Sequence, residues 1–434
     1  MTELEYPKNW SCTRLKNVAL VNENSLSTST HSDYVLNYLE ISNVNNRGII
    51  SKNEIRELFL SDAPSRARRI VRNGDTVISS VRPNLQALAY IKHTPENLIA
   101  STGFYVVTPL QKLLDEKYTY YLLISDGSRQ HLEAAAKGVG YPAVDDKDFV
   151  TLKFSIPSIE EQQRIASYLD KTCAAIDKTI EAKQKQLEIL DDLRKSIIHK
   201  AVTRGLDDSV ELKDSGVEWL GKIPKHWRIE KLKRLLSQPL MYGTNEAAEL
   251  DDPEYPRYIR ITDFGDNGTL KPESFKSLPP DKAEGYYLEE GDLLFARSGA
   301  TVGKSFLFSN YKGLACFAGY LIRARTNKIK LFPKYLYYFT KSPAYFTWKN
   351  VIFTQATIQN ISATKYAYLP VSVPSVDEQR LIIQYLDMKM KSLDDMQSNL
   401  SDQISSLQQY RKFLIHECVT GKRRITDDDV QGQL

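Results

Sequence analysis

Few residues of this chain have the type and spacing that chemistry needs. The segment 299–305 (Gly-Ala-Thr-Val-Gly-Lys-Ser) approaches a phosphate-binding loop, but three residues separate its glycines where that loop needs four. Phe306-Leu307-Phe308 follows it and predicts a strand instead of the required helix. Gly138-Val139-Gly140 lacks the third glycine and the preceding strand of a dinucleotide-binding fingerprint. Neither segment is therefore predicted to bind a nucleotide.

The histidines and cysteines do not predict a metal site either. The six histidines and four cysteines form no cluster with ligand spacing, and no Asp/Asn-Pro-Pro-aromatic motif of adenine methyltransferases is present. His199 and His416 occupy matching positions near the ends of two predicted helices, which favours helix capping over catalysis. We expect no catalytic site, metal or cofactor in this chain. The sequence has no signal peptide and no apolar run near 18 residues, and its four cysteines lack metal-ligand spacing. These features favour a reduced, cytoplasmic protein. The cysteines are Cys12, Cys173, Cys316 and Cys418.

Charge is distributed unevenly, although the net charge is only +4. No acidic residue lies between Asp292 and Asp377, and the stretch between them holds eleven basic residues interleaved with tyrosine and phenylalanine. Such a stretch predicts a positive surface that could follow a line of phosphates. The alternative is a solvated face balanced by acids from elsewhere in the fold. Basic candidates for the surface are Arg297, Lys304, Arg323, Arg325, Lys328, Lys330 and Lys334, with Arg260 nearby and, in the first half, Arg66, Arg68, Arg69 and Arg72.

The elements that position these residues occur twice, because the chain is a tandem repeat with a constant offset between its two copies. Two copies of one module predict two related surfaces and approximate two-fold symmetry. The copies agree at their edges and differ in the middle, where Arg82-Pro83-Asn84-Leu85 stands against the segment 299–303. The recurring segments are Pro7-Lys8-Asn9-Trp10 and Pro224-Lys225-His226-Trp227, Gly74-Asp75 and Gly291-Asp292, and Val202-Thr203 and Val419-Thr420.

Each copy ends in a predicted helix of roughly 45 residues, since Ser158-x-x-Glu161 and Ser375-x-x-Glu378 form capping boxes and Gly205 and Gly421 suit the C-terminal ends. Heptad spacing predicts a coiled-coil seam. Because the segment between the helices must fold compactly, we expect them to pair antiparallel and to hold two globular parts apart. Arg194 and Arg411 fall on the seam, where they either set the register or extend towards solvent. The seam includes Ile176, Ile180, Leu187 and Leu190 in the first helix and Leu393, Leu400, Ile404 and Leu407 in the second.

The globular parts are predicted to mix strands and helices, which gives an α+β fold. The runs that begin at Gly74-Asp75 and Gly291-Asp292 predict strands entered through a turn. The ranges 115–125 and 333–340 predict helices.

This arrangement resembles the specificity (S) subunits of type I DNA restriction-modification systems. The resemblance covers essentially the whole chain, and both copies of the repeat have the motifs in the order that the family has them. It is carried by Ile156-Pro157-Ser158-Ile159-Glu160-Glu161-Gln162, Val373-Pro374-Ser375-Val376-Asp377-Glu378-Gln379, Lys222-Ile223-Pro224, and Gly291-Asp292-Leu293-Leu294-Phe295-Ala296-Arg297-Ser298-Gly299.

The resemblance implies a protein that binds DNA without catalysing a reaction. Residues 1–157 and 206–374 would be target recognition domains that each bind one half of a split double-stranded site. Residues 158–205 and 375–421 would be the long helices that set the gap, and 422–434 a tail. DNA contact is implied for Arg297, Ser298, Gly299 and Lys304, and for Arg82 and Asn84 in the first copy, which departs from the glycine-rich form.

The resemblance also implies partners, which would be two methyltransferase (M) subunits and two restriction and motor (R) subunits. S-adenosylmethionine, ATP and Mg would be bound by those subunits and not by this chain. Three other functions remain open on sequence alone: a solitary specificity subunit, a donor of domains for recombination, and a coiled-coil scaffold with no DNA role.

Overall fold

The structure is a computed structural model that describes residues 7–45, 48, 50–81, 87–92, 95, 97–138, 142–265, 268–299, 301–354 and 360–431. Its strands are β1 (Ser11–Arg14), β2 (Ala19–Val21), β3 (Val35–Leu39), β4 (Arg56–Phe59), β5 (Ala67–Ile70), β6 (Thr76–Ser79), β7 (Leu88–Tyr90), β8 (Leu98–Ser101), β9 (Phe104–Pro109), β10 (Lys153–Ile156), β11 (Leu212–Asp214), β12 (Lys222–Pro224), β13 (Arg228–Lys231), β14 (Met241–Tyr242), β15 (Arg257–Ile259), β16 (Leu293–Ala296), β17 (Ser305–Leu307), β18 (Ala315–Phe317), β19 (Leu321–Ala324) and β20 (Pro370–Val373). Its α-helices are α1 (Leu15–Val18), α2 (Glu116–Ile124), α3 (Asp126–Ala135), α4 (Asp146–Val150), α5 (Ile159–Arg204), α6 (Pro280–Ala283), α7 (Pro333–Phe339), α8 (Pro343–Thr354), α9 (Ala363–Ala367), α10 (Val376–Val419) and α11 (Asp427–Gln431).

The chain forms two compact units, and each unit contains parts of both sequence copies. Unit 1 consists of residues 1–184 and 402–434, and unit 2 of residues 185–401. The first unit therefore takes the start of α5 and the end of α10, and the second unit takes the other two halves.

The sheets confirm the α+β class and the duplication. Unit 1 has an antiparallel sheet in the order β2-β9-β6-β7, and unit 2 repeats it as β14-β19-β16-β17. The pairs β1-β10 and β13-β20 also correspond, as do the parallel pairs β3-β8 and β15-β18. In unit 1 the parallel pair is extended on both sides to β4-β3-β8-β5. The copies therefore share a frame and differ in the strands added to it.

The capping box at the start of α10 and the glycines after both long helices act as predicted, while at the start of α5 the Glu161 amide donates to Ser158 Oγ over 3.4 Å. At the start of α10 the Glu378 amide donates to Ser375 Oγ over 3.2 Å, and the Ser375 amide donates to Glu378 Oε2 over 3.1 Å. These reciprocal bonds satisfy amides that the first helical turn leaves unpaired. Gly205 and Gly421 follow the helices with φ of +78° and +73°, a conformation that glycine adopts without strain.

Within each unit the two helix segments pack antiparallel. In unit 1, Ile176 and Ile180 of α5 belong to the same buried cluster as Leu414 and Cys418 near the end of α10, with Ile404 and Leu407 against it. A corresponding cluster in unit 2 joins the end of α5 to the start of α10. Its members on the helices include Ile198, Ala201, Ile382, Leu386 and Leu393, with Leu190 partly buried beside them, while Leu187 and Leu400 are also half-buried.

Candidate nucleic-acid interface

One glutamine in each copy ties the globular part of its unit to the long helix. Gln162 and Gln379 are 1% and 0% exposed, and each accepts one backbone N–H bond and donates to two backbone carbonyls. A buried amide with all three bonds satisfied fixes the geometry around it. The partners are Asp115, Leu113 and Pro157 for Gln162, and Phe332, Lys330 and Pro374 for Gln379.

A second repeated contact joins a short helix to a long one. Lys117 of α2 pairs with Asp170 of α5 at 2.7 Å, and Lys334 of α7 pairs with Asp387 of α10 at 2.7 Å. Since its ammonium is neutralised by a carboxylate, Lys334 does not add a free charge to the predicted positive surface.

The Gly-Asp turn before the central strand is also structural. Asp292 is fully buried and accepts two bonds from the Arg325 guanidinium, at 2.8 and 2.7 Å, while Glu289 contacts the same guanidinium. The corresponding Asp75 binds the Thr108 hydroxyl, and burial raises its pKa. Arg325 is thus engaged by two carboxylates. Interpreting it as part of a DNA-facing surface is not supported by its contacts.

Arg323 is likewise internal. It is 6% exposed, its Nη2 donates to Gln238 over 2.9 Å, and its guanidinium lies 5.9 Å from the centre of the Phe317 ring. Burial, followed by repulsion from Arg325, lowers its pKa. Acids from outside the acid-free stretch between Asp292 and Asp377, together with buried polar partners, therefore compensate part of the positive charge of that stretch.

The remaining candidates of unit 2 gather where β16 ends. Arg297 follows the last residue of that strand, and its guanidinium lies 4.7 Å from the centre of the Tyr242 ring. Its amide donates to the Tyr320 carbonyl over 3.0 Å, and its own carbonyl accepts from Ile361 over 2.9 Å. The backbone is thus fixed on both sides, while the side chain rests on an aromatic face as cations prefer. Among the described residues, Arg297 Nε has no hydrogen-bond partner.

The segment from Arg297 to Lys304 is a hairpin connection between β16 and β17. This confirms that a strand, not a helix, follows the glycine pair. Ser298 forms an isolated bridge with Asn360, and Gly299 is exposed with φ of +75°. Lys304 is half-exposed at the end of the connection. Sequence reasoning did not single out Tyr242 or the exposed Tyr320 beside this connection. Aromatics near basic residues were the available signal.

The candidates in unit 1 are placed less completely. Arg66 is exposed before β5, and Arg69 is half-buried with Nη1 donating to the Asn22 carbonyl over 3.4 Å. Arg82 and Asn84 lie outside the described residues, beyond the end of β6, so their DNA contact stays a prediction.

Arg260 has a local structural partner. Its Nη2 donates to Asp263 over 2.9 Å and to the Ser274 carbonyl over 2.7 Å, and Asp263 is fully buried. The side chain closes a short turn after β15, and a role in DNA binding stays a prediction.

Both seam arginines form ion pairs between the helices. Arg411 of α10 pairs with Asp177 of α5 at 3.1 Å, and Arg194 of α5 pairs with Asp394 of α10. The arginine side chains are 16% and 25% exposed. Asp177 and Arg194 of the first copy correspond to Asp394 and Arg411 of the second. The repeat therefore makes the same register contact twice, with the helices exchanged.

The histidines at the helix ends show no partner chemistry. Burial lowers the pKa of both His199 and His416, and neither Nδ1 has a hydrogen-bond partner in the described parts of the chain. Over those same parts, no group of His, Cys, Asp and Glu has the arrangement to hold a metal ion. Nor does any described helix combine the length and apolarity needed to cross a membrane.

Comparison with known proteins identifies the class. The type I restriction modification DNA specificity domain matches residues 7–193 and 230–406, and the chain belongs to this family. The resemblance drawn from the sequence is thereby confirmed.

Individual relatives carry the same description. The chain is 24% identical over 329 residues to the type I restriction enzyme MjaVIII specificity subunit of Methanocaldococcus jannaschii, with 72% of each chain covered. It is 21% identical over 430 residues to the putative MjaX specificity subunit of that organism, covering 97% of this chain and 95% of the relative.

Solved structures share the fold. One, from work on complex assembly and conformational transition of the type I R-M system, has a TM-score of 0.79 at 20% identity and covers 96% of this chain and 100% of its own. The HsdS subunit from Thermoanaerobacter tengcongensis has a TM-score of 0.56 at 20% identity, over 97% and 99% of the two chains.

Proposed function

We propose that this chain is the DNA-reading subunit of a type I restriction-modification complex and that each unit binds one half of a bipartite duplex site. The observation that carries the proposal is the combination of a shared frame with different loops. Gln162 and Gln379 hold the two frames alike, whereas the segments that follow β6 and β16 differ in sequence, with Arg82 in the first copy and Arg297 in the second. Two similar scaffolds with different loops suit two different base sequences.

The reactions themselves belong to other subunits in this proposal. Methyltransferase subunits would supply S-adenosylmethionine chemistry and base flipping, and restriction subunits would supply ATP and Mg chemistry. The cytoplasm, where those subunits meet DNA, is the location that fits this role. This chain would contribute affinity, half-site choice and the distance between half-sites.

The test is selection of bound duplexes from a random library by the chain assembled with its methyltransferase subunits. We expect two short specified segments separated by an unspecified spacer, with centres about one helical turn, roughly 34 Å, apart. Methylation mapping of the host with and without this gene should return the same motif. A single continuous motif, or a motif that persists without the gene, would contradict the proposal.

The long helices supply a surface for the methyltransferase subunits. In unit 2 they enclose an open groove of about 600 Å³ that is lined in part by Ile189, Leu190, Met396 and Leu400. Ile189 and Met396 are 57% and 51% exposed and both line this groove, and a contiguous exposed apolar patch is typical of an interaction site. Methionine suits such a surface because its flexible side chain adapts to a partner.

We expect the double change Ile189→Asp and Met396→Asp to weaken assembly with methyltransferase subunits by about a hundredfold, because it places carboxylates in an apolar contact. Sedimentation of the mixed subunits measures this. The matched control is Gln408→Asp, which changes an exposed polar residue of α10, the helix that contains Met396, and this variant should assemble normally. Unchanged assembly of the double variant would place docking elsewhere.

A further inference from the structure

An arginine and a tyrosine meet at one end of the four-stranded sheet of unit 2. Tyr242 ends β14, the edge strand, and Arg297 follows the end of β16. Because β14 and β16 each run antiparallel to β19, their last residues lie at the same end of the sheet. The Arg297 guanidinium lies 4.7 Å from the centre of the Tyr242 ring. We call these two residues the Arg–Tyr pair.

The tyrosine of the Arg–Tyr pair is held at both ends. Its hydroxyl accepts a bond from the Ala363 amide, the first of α9, over 2.8 Å. The next residue, Gly243, donates its amide to the Leu321 carbonyl over 3.3 Å, and a Cβ at Gly243 would lie 2.2 Å from the Phe317 carbonyl oxygen. Tyr242 is nevertheless 37% exposed. A ring fixed in this way fixes the direction of the cation that rests on it.

The arginine of the pair is suited to end-on contacts. Arg297 is half-exposed, but its Nε is buried. A ligand therefore meets the two terminal nitrogens, which donate two parallel bonds. In the major groove, guanine presents two acceptors on one base, N7 and O6, whereas adenine presents N7 beside a donor.

We propose that the Arg–Tyr pair reads one guanine of the half-site bound by unit 2. The terminal nitrogens of Arg297 donate to N7 and O6, and Tyr242 is the positioning residue that holds the guanidinium for this contact. The aromatic face lowers the entropy that the long side chain loses on binding, because the guanidinium already lies in one place. Without the ring, Arg297 has more orientations, and the paired contact becomes weaker.

This assignment rests on the proposed DNA-reading function and adds an asymmetry to it. Ser80 is the counterpart of Arg297 in the first copy, since its amide donates to the Gly103 carbonyl over 2.8 Å as the Arg297 amide donates to the Tyr320 carbonyl over 3.0 Å. A serine hydroxyl has one hydrogen to donate and does not bridge N7 and O6. The guanine contact should therefore belong to one half-site.

The experiment uses the intact chain assembled with its methyltransferase subunits and a duplex that carries its selected site. Each guanine of the site is replaced in turn by 7-deazaguanine, which exchanges the N7 acceptor for a C–H group and keeps base pairing. We expect roughly tenfold weaker binding at one guanine. In Arg297→Ala the same replacement should cause little further loss, because the contact is already gone. The other guanines are internal controls.

Variants of Tyr242 test the positioning role. Tyr242→Leu should weaken binding of the cognate duplex about fivefold and reduce the tenfold effect of 7-deazaguanine to about threefold, with unchanged affinity for a scrambled duplex. Tyr242→Phe keeps the aromatic face and should restore most of both effects. Tyr368→Leu is the matched control, since it removes another exposed tyrosine beneath a cation, with Lys233 Nζ 4.0 Å from the ring centre. It should behave as the wild type does.

The failures of this assignment differ from those of the proposed function. If no 7-deazaguanine effect depends on Arg297, or if a 7-deazaadenine effect does, the guanine assignment is wrong even where the wild type selects a bipartite site. If Tyr242→Leu weakens cognate and scrambled binding equally, or changes neither, Tyr242 is not a positioning residue. Failure of the wild-type complex to select any bipartite site would instead refute the proposed function.

Discussion

Replacing Arg297 with alanine is expected to weaken recognition of one half-site and leave the other intact. An arginine that binds a base edge contributes about 1–3 kcal/mol of discrimination, which corresponds to roughly 5- to 150-fold in affinity. Arg297 is well prepared for this role, because its backbone is held by Tyr320 and Ile361 and its guanidinium rests on Tyr242. Little side-chain entropy remains to be lost on binding.

The measurement is the affinity of the assembled complex for the cognate duplex and for duplexes altered in either half-site. Arg82→Ala is the matched variant of the first copy and should affect the opposite half-site. An equal loss on cognate and random DNA would show that Arg297 contacts phosphate instead of a base.

Adding one heptad to each long helix is expected to lengthen the preferred spacer. Insertions between Gln184 and Lys185 in α5 and between Ser401 and Asp402 in α10 fall between the two units and leave the contacts inside each unit unchanged. Both ion pairs, Asp177–Arg411 and Arg194–Asp394, are kept. Seven residues add about 10 Å of helix, or roughly three base pairs at about 3.4 Å each.

Repeating the duplex selection with the lengthened chain measures the spacer directly. Half-site sequences should stay the same, and binding should weaken because about three base pairs also rotate one half-site by roughly a third of a turn. A heptad added to α5 alone is the control, and it should disrupt the helix pair. New half-sites with the old spacer would show that the helices do not set the distance.

Features that depend on neighbouring residues could be predicted from the sequence. The start of α10 at Ser375 and Glu378 and the end at Gly421 follow from hydrogen bonds and backbone angles within a few residues. The repeat, the fold class and the resemblance to the family could also be predicted. Each motif occurs in both copies, so each copy supports the interpretation of the other.

Charge partners could not be predicted, because they depend on strand register. Arg325 meets Asp292 only because β16 and β19 run antiparallel with Leu293 opposite Ala324. Lys334 meets Asp387 through the packing of α7 on α10. Counting basic residues along the chain therefore overstated the free positive charge.

The exchange of helix ends between the sequence copies has a consequence for synthesis on the ribosome. Unit 2 has all its residues once Ser401 has been made. The core of unit 1 also needs Leu414, Ile415 and Cys418, which are made later. The second half of the nascent chain can thus finish folding before the first, an inversion of the usual amino-terminal order. Until α10 is complete, the early half of α5 lacks the part of its apolar cover that Leu414, Ile415 and Cys418 provide.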